Sequence, residues 1–371
     1  MKQKKIAFVI SSDEIGNWSG GISYFRNLFE IIKDQKKIKI VVYTNSVTFL
    51  KKQKLGNFFE IKEIRFLKKN TLSYFFRKII VFTLNKDLFL YYTLLKDNVT
   101  TLSHRKLFRN KKIKSIGWIP DLQHKVLKRF FKNKTYLDRE RYVVNELKNS
   151  DKIFVSSFQI KKEFKKFYKI DHKIIPLRIL SKKQSLIKNT SKRYILFPAQ
   201  FWEHKNHEFL LKAAKIIKAK NINIKLYFCG KTNNYKNHSH FELINKKINN
   251  FKLDNVIKNF GEVSLYQLNI FQRECLAFVN PSLYEGWSTI NEEARSNFKY
   301  IFLSDIKGHK EQNNSGSIYF NLNSPDDFVR KIQKFLNEKK YLERKKLLIY
   351  YKTFNSKINN EVKNILSKEY I

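Results

Sequence analysis

Short apolar, β-prone runs alternate with helix-spaced segments along almost the whole chain, and this alternation constrains the fold more than any other feature. The first run is Lys4-Lys5-Ile6-Ala7-Phe8-Val9-Ile10. From Gly21 to Lys33, residues Ile22, Phe25, Leu28, Phe29 and Ile32 then recur at helical spacing. Strands are predicted at Lys39–Thr44, Ile113–Trp118 and Ile153–Ser157, the last leading into a helix over Gln159–Tyr168. A polar, irregular stretch from Leu177 to Arg193 interrupts the pattern, which then restarts. Strands Tyr194–Pro198, Ile224–Gly230, Val256–Phe260 and Leu276–Val279 alternate with helices His207–Lys218, Phe241–Asn249 and Leu265–Arg273. Strands separated by helices pair in parallel and need cover on both faces. The spacing therefore predicts an α/β protein of two doubly wound domains, residues 1–176 and 194–350, with 177–193 as linker. Ligands of such sheets bind beyond the carboxyl ends of the strands.

Length and composition agree with two cores. A chain of 371 residues exceeds one ordinary domain, and 42% apolar residues suffice to fill both. The formal charge of +43 invites a nucleic-acid reading. Yet Lys, Asn, Ile, Phe and Tyr are abundant while Gly, Ala and Pro are scarce, the usage that A/T-rich codons produce. Residues 1–180 hold 41 Lys+Arg against 15 Asp+Glu, so the excess favours the amino-terminal half, where a lipid-borne acceptor would dock. The basic start, Met1 to Lys5, leads into only five apolar residues with no cleavage pattern, and no signal peptide is expected. Ile79 to Leu95 is apolar but interrupted by Asn85, Lys86 and Asp87, which suits core helices or an amphipathic membrane-facing segment better than a span. Cys229 and Cys275 sit in apolar runs, as buried thiols of a reducing compartment do. A cytoplasmic protein, with an anionic membrane surface as one partner, is the expectation.

The segment Asn280 to Ser296, NPSLYEGWSTINEEARS, carries the most chemistry. It follows an apolar run, ends it with Asn280-Pro281-Ser282, turns at Gly286 and becomes helical from about Thr289. Glu285 then lies on the strand-to-helix loop and Glu293 in the early helix. The loop N–H groups and helix start suit a diphosphate, and both acids suit sugar hydroxyls. Elsewhere, the loop Phe197 to His207 places Lys205 where an ammonium can neutralise a diphosphate. His204 and His207 lack a third ligand for zinc, so no metal site is expected.

Pro281 to Ser288 followed by Glu292-Glu293-Ala294 resembles the Glu-x7-Glu signature of family 4 retaining glycosyltransferases. The resemblance runs from about residue 5 to about residue 335. It implies the GT-B fold, two Rossmann-like domains facing across a cleft, with the last helix, residues 351–371, crossing back to the first domain. It implies that Glu285 lies against the transferred sugar, that Glu293 binds the ribose, and that Gly286, Trp287, Ser288 and Thr289 approach sugar and phosphates. Lys205 matches the family's phosphate-binding Lys, while Gln200 stands where an Arg is usual and Ser288 where a Gly is usual. Gly20-Gly21 resembles the amino-terminal glycine turn. Trp118 to His124 resembles the segment lining the donor sugar, with Pro120 in place of the usual His, so Asp121 or His124 is the implied contact. Asp121 as a helix N-cap is the alternative. The run Phe302 to Glu311 is also similar, with His309 and Glu311 expected to be structural.

The implied activity is transfer of a hexose, with retention and without metal, from a nucleoside diphosphate sugar to a hydroxyl of a glycan or glycolipid. Surface-polysaccharide assembly, such as O-antigen or capsule, is the implied setting. The nucleotide sugar is a co-substrate, and no other cofactor or nucleic-acid partner is expected. The alternatives are a catalytically impaired scaffold of the same fold and a polyanion-binding protein.

Overall fold

The computed structural model describes residues 3–370 apart from 17–18, 34, 56–58, 182–191, 233–238, 313–314 and 341–342. It divides into two compact units, Met1–Leu180 with Ser356–Ile371, and Ser181–Asn355. Most of the stretch expected to be a linker, and His238 of the polar loop, lie outside the described residues.

The first unit is built on a seven-stranded sheet. Its strands are β1 (Lys4–Ile10), β2 (Ile38–Thr44), β3 (Glu60–Glu63), β4 (Thr101–Ser103), β5 (Lys114–Ile119), β6 (Lys152–Val155) and β7 (Ile174–Pro176). They lie in the order β3-β2-β1-β4-β5-β6-β7, every pair parallel. Helices fill the crossovers, which is why the strands read as near-continuous apolar runs. Gly20 and Gly21, expected in a turn before the helix, instead sit inside the helix Ser19–Ile32. Its first turn tolerates glycine because the N–H groups there lack intrahelical partners in any case. The apolar stretch around residues 79–95 forms two helices, Leu72–Leu84 and Leu88–Lys96, with left-handed Asn85 closing the first. Of the final helix, Arg344–Tyr370, residues from Ser356 onward belong to this unit. There Tyr370 pairs with Ser103, and Glu369 with Lys114.

The second unit carries six parallel strands: β8 (Tyr194–Pro198), β9 (Lys225–Cys229), β10 (Ile257–Asn259), β11 (Ala277–Asn280), β12 (Tyr300–Ser304) and β13 (Ser317–Phe320). Their order is β10-β9-β8-β11-β12-β13. Phenylalanines dominate the interior: Phe197, Phe228, Phe278, Phe302, Phe328 and Phe335 are all fully buried. The chain leaves β8 toward β9 on one side and returns later to place β11 on the other. The sheet therefore reverses direction between β8 and β11, where Ile195 pairs with Ala277 and Leu196 with Phe278. A crevice opens at such a reversal, outside the carboxyl ends of the two strands. Those ends carry the loop with Lys205 and the turn with Glu285.

Candidate active site

Lys205 Nζ donates to Glu285 Oε1 at 2.6 Å. The loop after β8 closes in a short 3-10 turn, Glu203–Lys205, and Asn206 follows in the left-handed region, which Asn tolerates better than most residues. Asn206 Nδ2 donates to the Pro281 carbonyl, and Leu283 N–H donates to the His204 carbonyl at 2.9 Å. The two loops are thus tied through backbone and side chain, which holds the lysine over the carboxylate.

Burial opposes ionisation of Glu285 more than any other single influence. The Lys205 ammonium leads the opposing effects, with His309 and His204 behind it, and together they hold the carboxyl at about 2. His309 is itself pushed down to about 4 by burial, so at neutral pH Lys205 supplies the positive charge.

A buried polar floor fixes the turn. Asn280 Nδ2 uses its two protons on Ser288 Oγ (2.8 Å) and His309 Nε2 (3.0 Å), and Asn280 Oδ1 accepts from Ser282 Oγ at 2.7 Å. With Nε2 accepting, His309 carries its proton on Nδ1, which donates to the Ser304 carbonyl at 2.9 Å. Gln312 clamps the other side: Oε1 accepts from Ser288 N–H at 2.8 Å, while Nε2 donates to the Ser288 carbonyl and to Glu292 Oε1. Glu292 in turn pairs with buried Arg295. Gly308 lets the helix Lys307–Glu311 lie against the turn, because an added Cβ would stand 2.4 Å from the Glu285 carbonyl oxygen.

One expectation for the turn needs correction. Ser288 N–H is not available to a phosphate, since Gln312 takes it. The serine costs the loop nothing conformationally: its φ is −82° and its hydroxyl caps the helix Thr289–Ser296 by accepting from Asn291 N–H. Thr289 and Ile290, as the first two helical residues, have N–H groups with no intrahelical acceptor and face the anion-favouring end of the dipole.

Glu293 lies one turn further along the helix, where its Oε2 accepts from Gln272 Nε2 at 2.8 Å. It keeps some exposure, yet burial of its carboxyl dominates and pushes it up to about 8, with Lys205 pulling the other way. One lysine therefore acts on both acids. A carboxyl that holds its proton more tightly folded than unfolded stabilises at low pH and loses that contribution as pH rises through about 8. Glu293→Gln, which cannot ionise, should flatten the fall in unfolding free energy between about pH 5 and 8, read by urea denaturation at successive pH values.

Gln200 follows β8 on the same loop as Lys205, and the backbone there is approached closely by Gly230, where a Cβ would meet the Ala199 carbonyl at 2.0 Å. His207 is fully buried, stacked on Phe201 with ring centroids 4.4 Å apart, and both ring nitrogens lack partners; it is a core residue. His124, implied with Asp121 as an alternative sugar contact, is fully buried in the first unit and hydrogen-bonds through Nε2 to Glu140. Tyr168 and Lys125 hold the same glutamate, so the histidine completes an internal polar cluster and is withdrawn as a substrate contact. Asp121 accepts from Gln123 N–H and pairs with Arg139, close to the capping role. Sequence reasoning passed over Gln312 entirely, and a glutamine closing a five-residue helix gives no signal. Gly308 gave a faint one, a glycine inside a helical run.

Residues 179–352, the second unit almost entirely, match the family model described as glycosyl transferases group 1. This region belongs to the group 1 glycosyl transferases. The O-antigen chain mannosyltransferase RfbU of Salmonella typhimurium is 25% identical over 183 residues. That match covers 49% of this chain and 49% of RfbU, so it spans about half the length of that curated relative. Among solved structures, the Anabaena protein Alr3699/HepE in complex with UDP and glucose is 11% identical. It superposes with a TM-score of 0.69 over 98% of this chain and 100% of its own. A mutant of S. aureus TarM, in complex with fondaparinux, alpha-GlcNAc-glycerol and UDP, is 13% identical with a TM-score of 0.71, covering 99% and 100%. Such identities establish likeness of fold alone, and the fold is GT-B. Lys205, Glu285 and Glu293 all lie within the matched region.

Proposed function

We propose that the chain is a retaining, metal-independent hexosyltransferase. It moves a hexose from a nucleoside diphosphate sugar to a hydroxyl of a glycan or lipid-linked acceptor, in the cytoplasm, during assembly of a surface polysaccharide such as O-antigen. The observation that carries this reading is the Lys205–Glu285 pair at the sheet reversal, with Glu293 within reach of the same ammonium. The O-antigen name of the mannosyltransferase relative supports the setting.

In the proposed reaction the acceptor oxygen bonds to the anomeric carbon on the face from which the diphosphate departs. The bond from that carbon to the phosphate oxygen breaks, and the hydroxyl proton passes to a phosphate oxygen. Lys205 and the N–H groups of Thr289 and Ile290 stabilise the leaving charge, usually the largest catalytic contribution. The Glu285 carboxylate, ionised across the working pH range, favours positive charge at the anomeric carbon. Glu293 takes the ribose hydroxyls. The impaired-scaffold reading draws on Gln200, which offers no charge where the family usually has arginine.

A panel of nucleoside diphosphates and their sugars, scored by thermal shift and donor hydrolysis, tests the proposal. One base should raise the melting temperature, Glu293→Ala should remove most of that rise, and the wild type should hydrolyse the donor slowly. Binding without hydrolysis or transfer would favour the scaffold, and no response to any nucleotide would overturn both.

A further inference from the structure

The helix Leu72–Leu84 is amphipathic in the inverted sense. Its only buried side chain is charged: Arg77 is 8% exposed, forks onto Asp87 through Nε and Nη2 (3.0 and 2.6 Å), and lies 5.6 Å from the Phe66 ring centroid. Most of its large apolar side chains point outward. Leu72, Phe75, Phe76, Ile79 and Phe82 recur at helical spacing, so they form one stripe, and exposure reaches 79% at Leu72 and 91% at Phe82. Folding normally turns such a stripe inward; here the Arg77–Asp87 pair fixes the opposite rotation. A contiguous exposed apolar face on a single helix marks an interaction site.

We propose that this stripe seats the protein on an anionic lipid bilayer, lying in the plane of the headgroups. The choice of partner follows from charge. Residues 68–86 contain Lys68, Lys69, Arg77, Lys78 and Lys86 and no acidic residue. Lys78 and Lys86 are exposed beside the stripe and can reach headgroup phosphates while the phenylalanines enter the acyl boundary. A second copy of this chain would bring the same cations face to face, each molecule carrying +43. Among the described residues no helix is long and apolar enough to cross a membrane, so the contact is made from one side. This assignment does not depend on the transfer reaction proposed above.

The test is flotation of the full chain with phosphatidylglycerol–phosphatidylcholine vesicles and with phosphatidylcholine alone, at physiological salt. The wild type should bind the anionic vesicles at least about tenfold more tightly. Phe75→Ser/Phe82→Ser should weaken that binding at least about tenfold with an unchanged melting temperature, since both side chains are exposed. Phe82→Trp should gain fluorescence that lipids brominated in their acyl chains quench. Absence of binding to anionic vesicles, or equal binding by the double serine variant, would overturn the proposal. So would a concentration-dependent dimer that the serine variant dissolves, which would assign the stripe to a second copy. Fluorescence of vesicle-bound Phe82→Trp that the brominated lipids leave unquenched would overturn it as well.

Discussion

Glu285→Gln is expected to lower turnover at least ~100-fold with a smaller loss of stability than Glu285→Ala. Loss of a preorganised charge at the reacting centre typically costs two to three orders of magnitude. Glutamine keeps the shape and can still accept a hydrogen bond from Lys205, so it separates charge from packing. Glu285→Ala should lose the same turnover and also stability, because it strands the Lys205 ammonium in a site where both partners are largely buried. Removing one member of such a pair costs about 3–5 kcal/mol. Steady-state kinetics with saturating donor, alongside urea denaturation, read the two effects apart. Near-normal turnover in Glu285→Gln would refute the role assigned to its charge.

Lys205→Met should act on both the leaving group and the neighbouring acid. The diphosphate loses its cation, for a further turnover loss of ~100-fold or more. Without the ammonium, burial prevails at Glu285, whose carboxyl rises from about 2. A depressed carboxyl contributes stability above its ordinary range, and that contribution fades as pH falls through the folded value. In the wild type that contribution is lost between the ordinary carboxyl value of 4.5 and about 2. In Lys205→Met this acid-side loss should disappear, because a carboxyl raised by burial costs stability as pH rises instead, and the acid limb of the rate profile should move up with the carboxyl. An unmoved acid limb would mean that Lys205 does not govern Glu285.

Much of this site was legible in the sequence because its parts are local. Apolar runs gave the strands, the Pro-Ser and Glu-Gly turn gave the start of the motif, and Thr289 marked the helix that follows. What brings Lys205 to Glu285 was not local. β8 and β11 are neighbours only because of strand order, and parallel pairing between segments that far apart leaves no trace in either one. The polar floor was hidden for a similar reason: Asn280, His309 and Gln312 are ordinary residue types whose partners come from three different elements. Ser288 looked like a weakened glycine until its dihedral angles and its cap were seen.

The first unit gave two instructive reversals. His124 stands three residues past Asp121 rather than at the family's usual His position, which Pro120 fills, and Glu140 and Tyr168 create a polar pocket that draws it inward. The apolar run Ile79 to Leu95 suited either core helices or a membrane-facing segment, and nothing in it says which way its apolar side chains point. That direction depends on Asp87, beyond the end of the helix, which captures Arg77.

A crystal structure of the protein with the nucleoside diphosphate sugar that stabilises it most would test the site directly. The proposal requires Lys205 Nζ on a phosphate oxygen, Glu293 on the ribose hydroxyls and Glu285 beside the transferred sugar. A donor bound elsewhere, with Lys205 still locked to Glu285 and Glu293 still on Gln272, would contradict it.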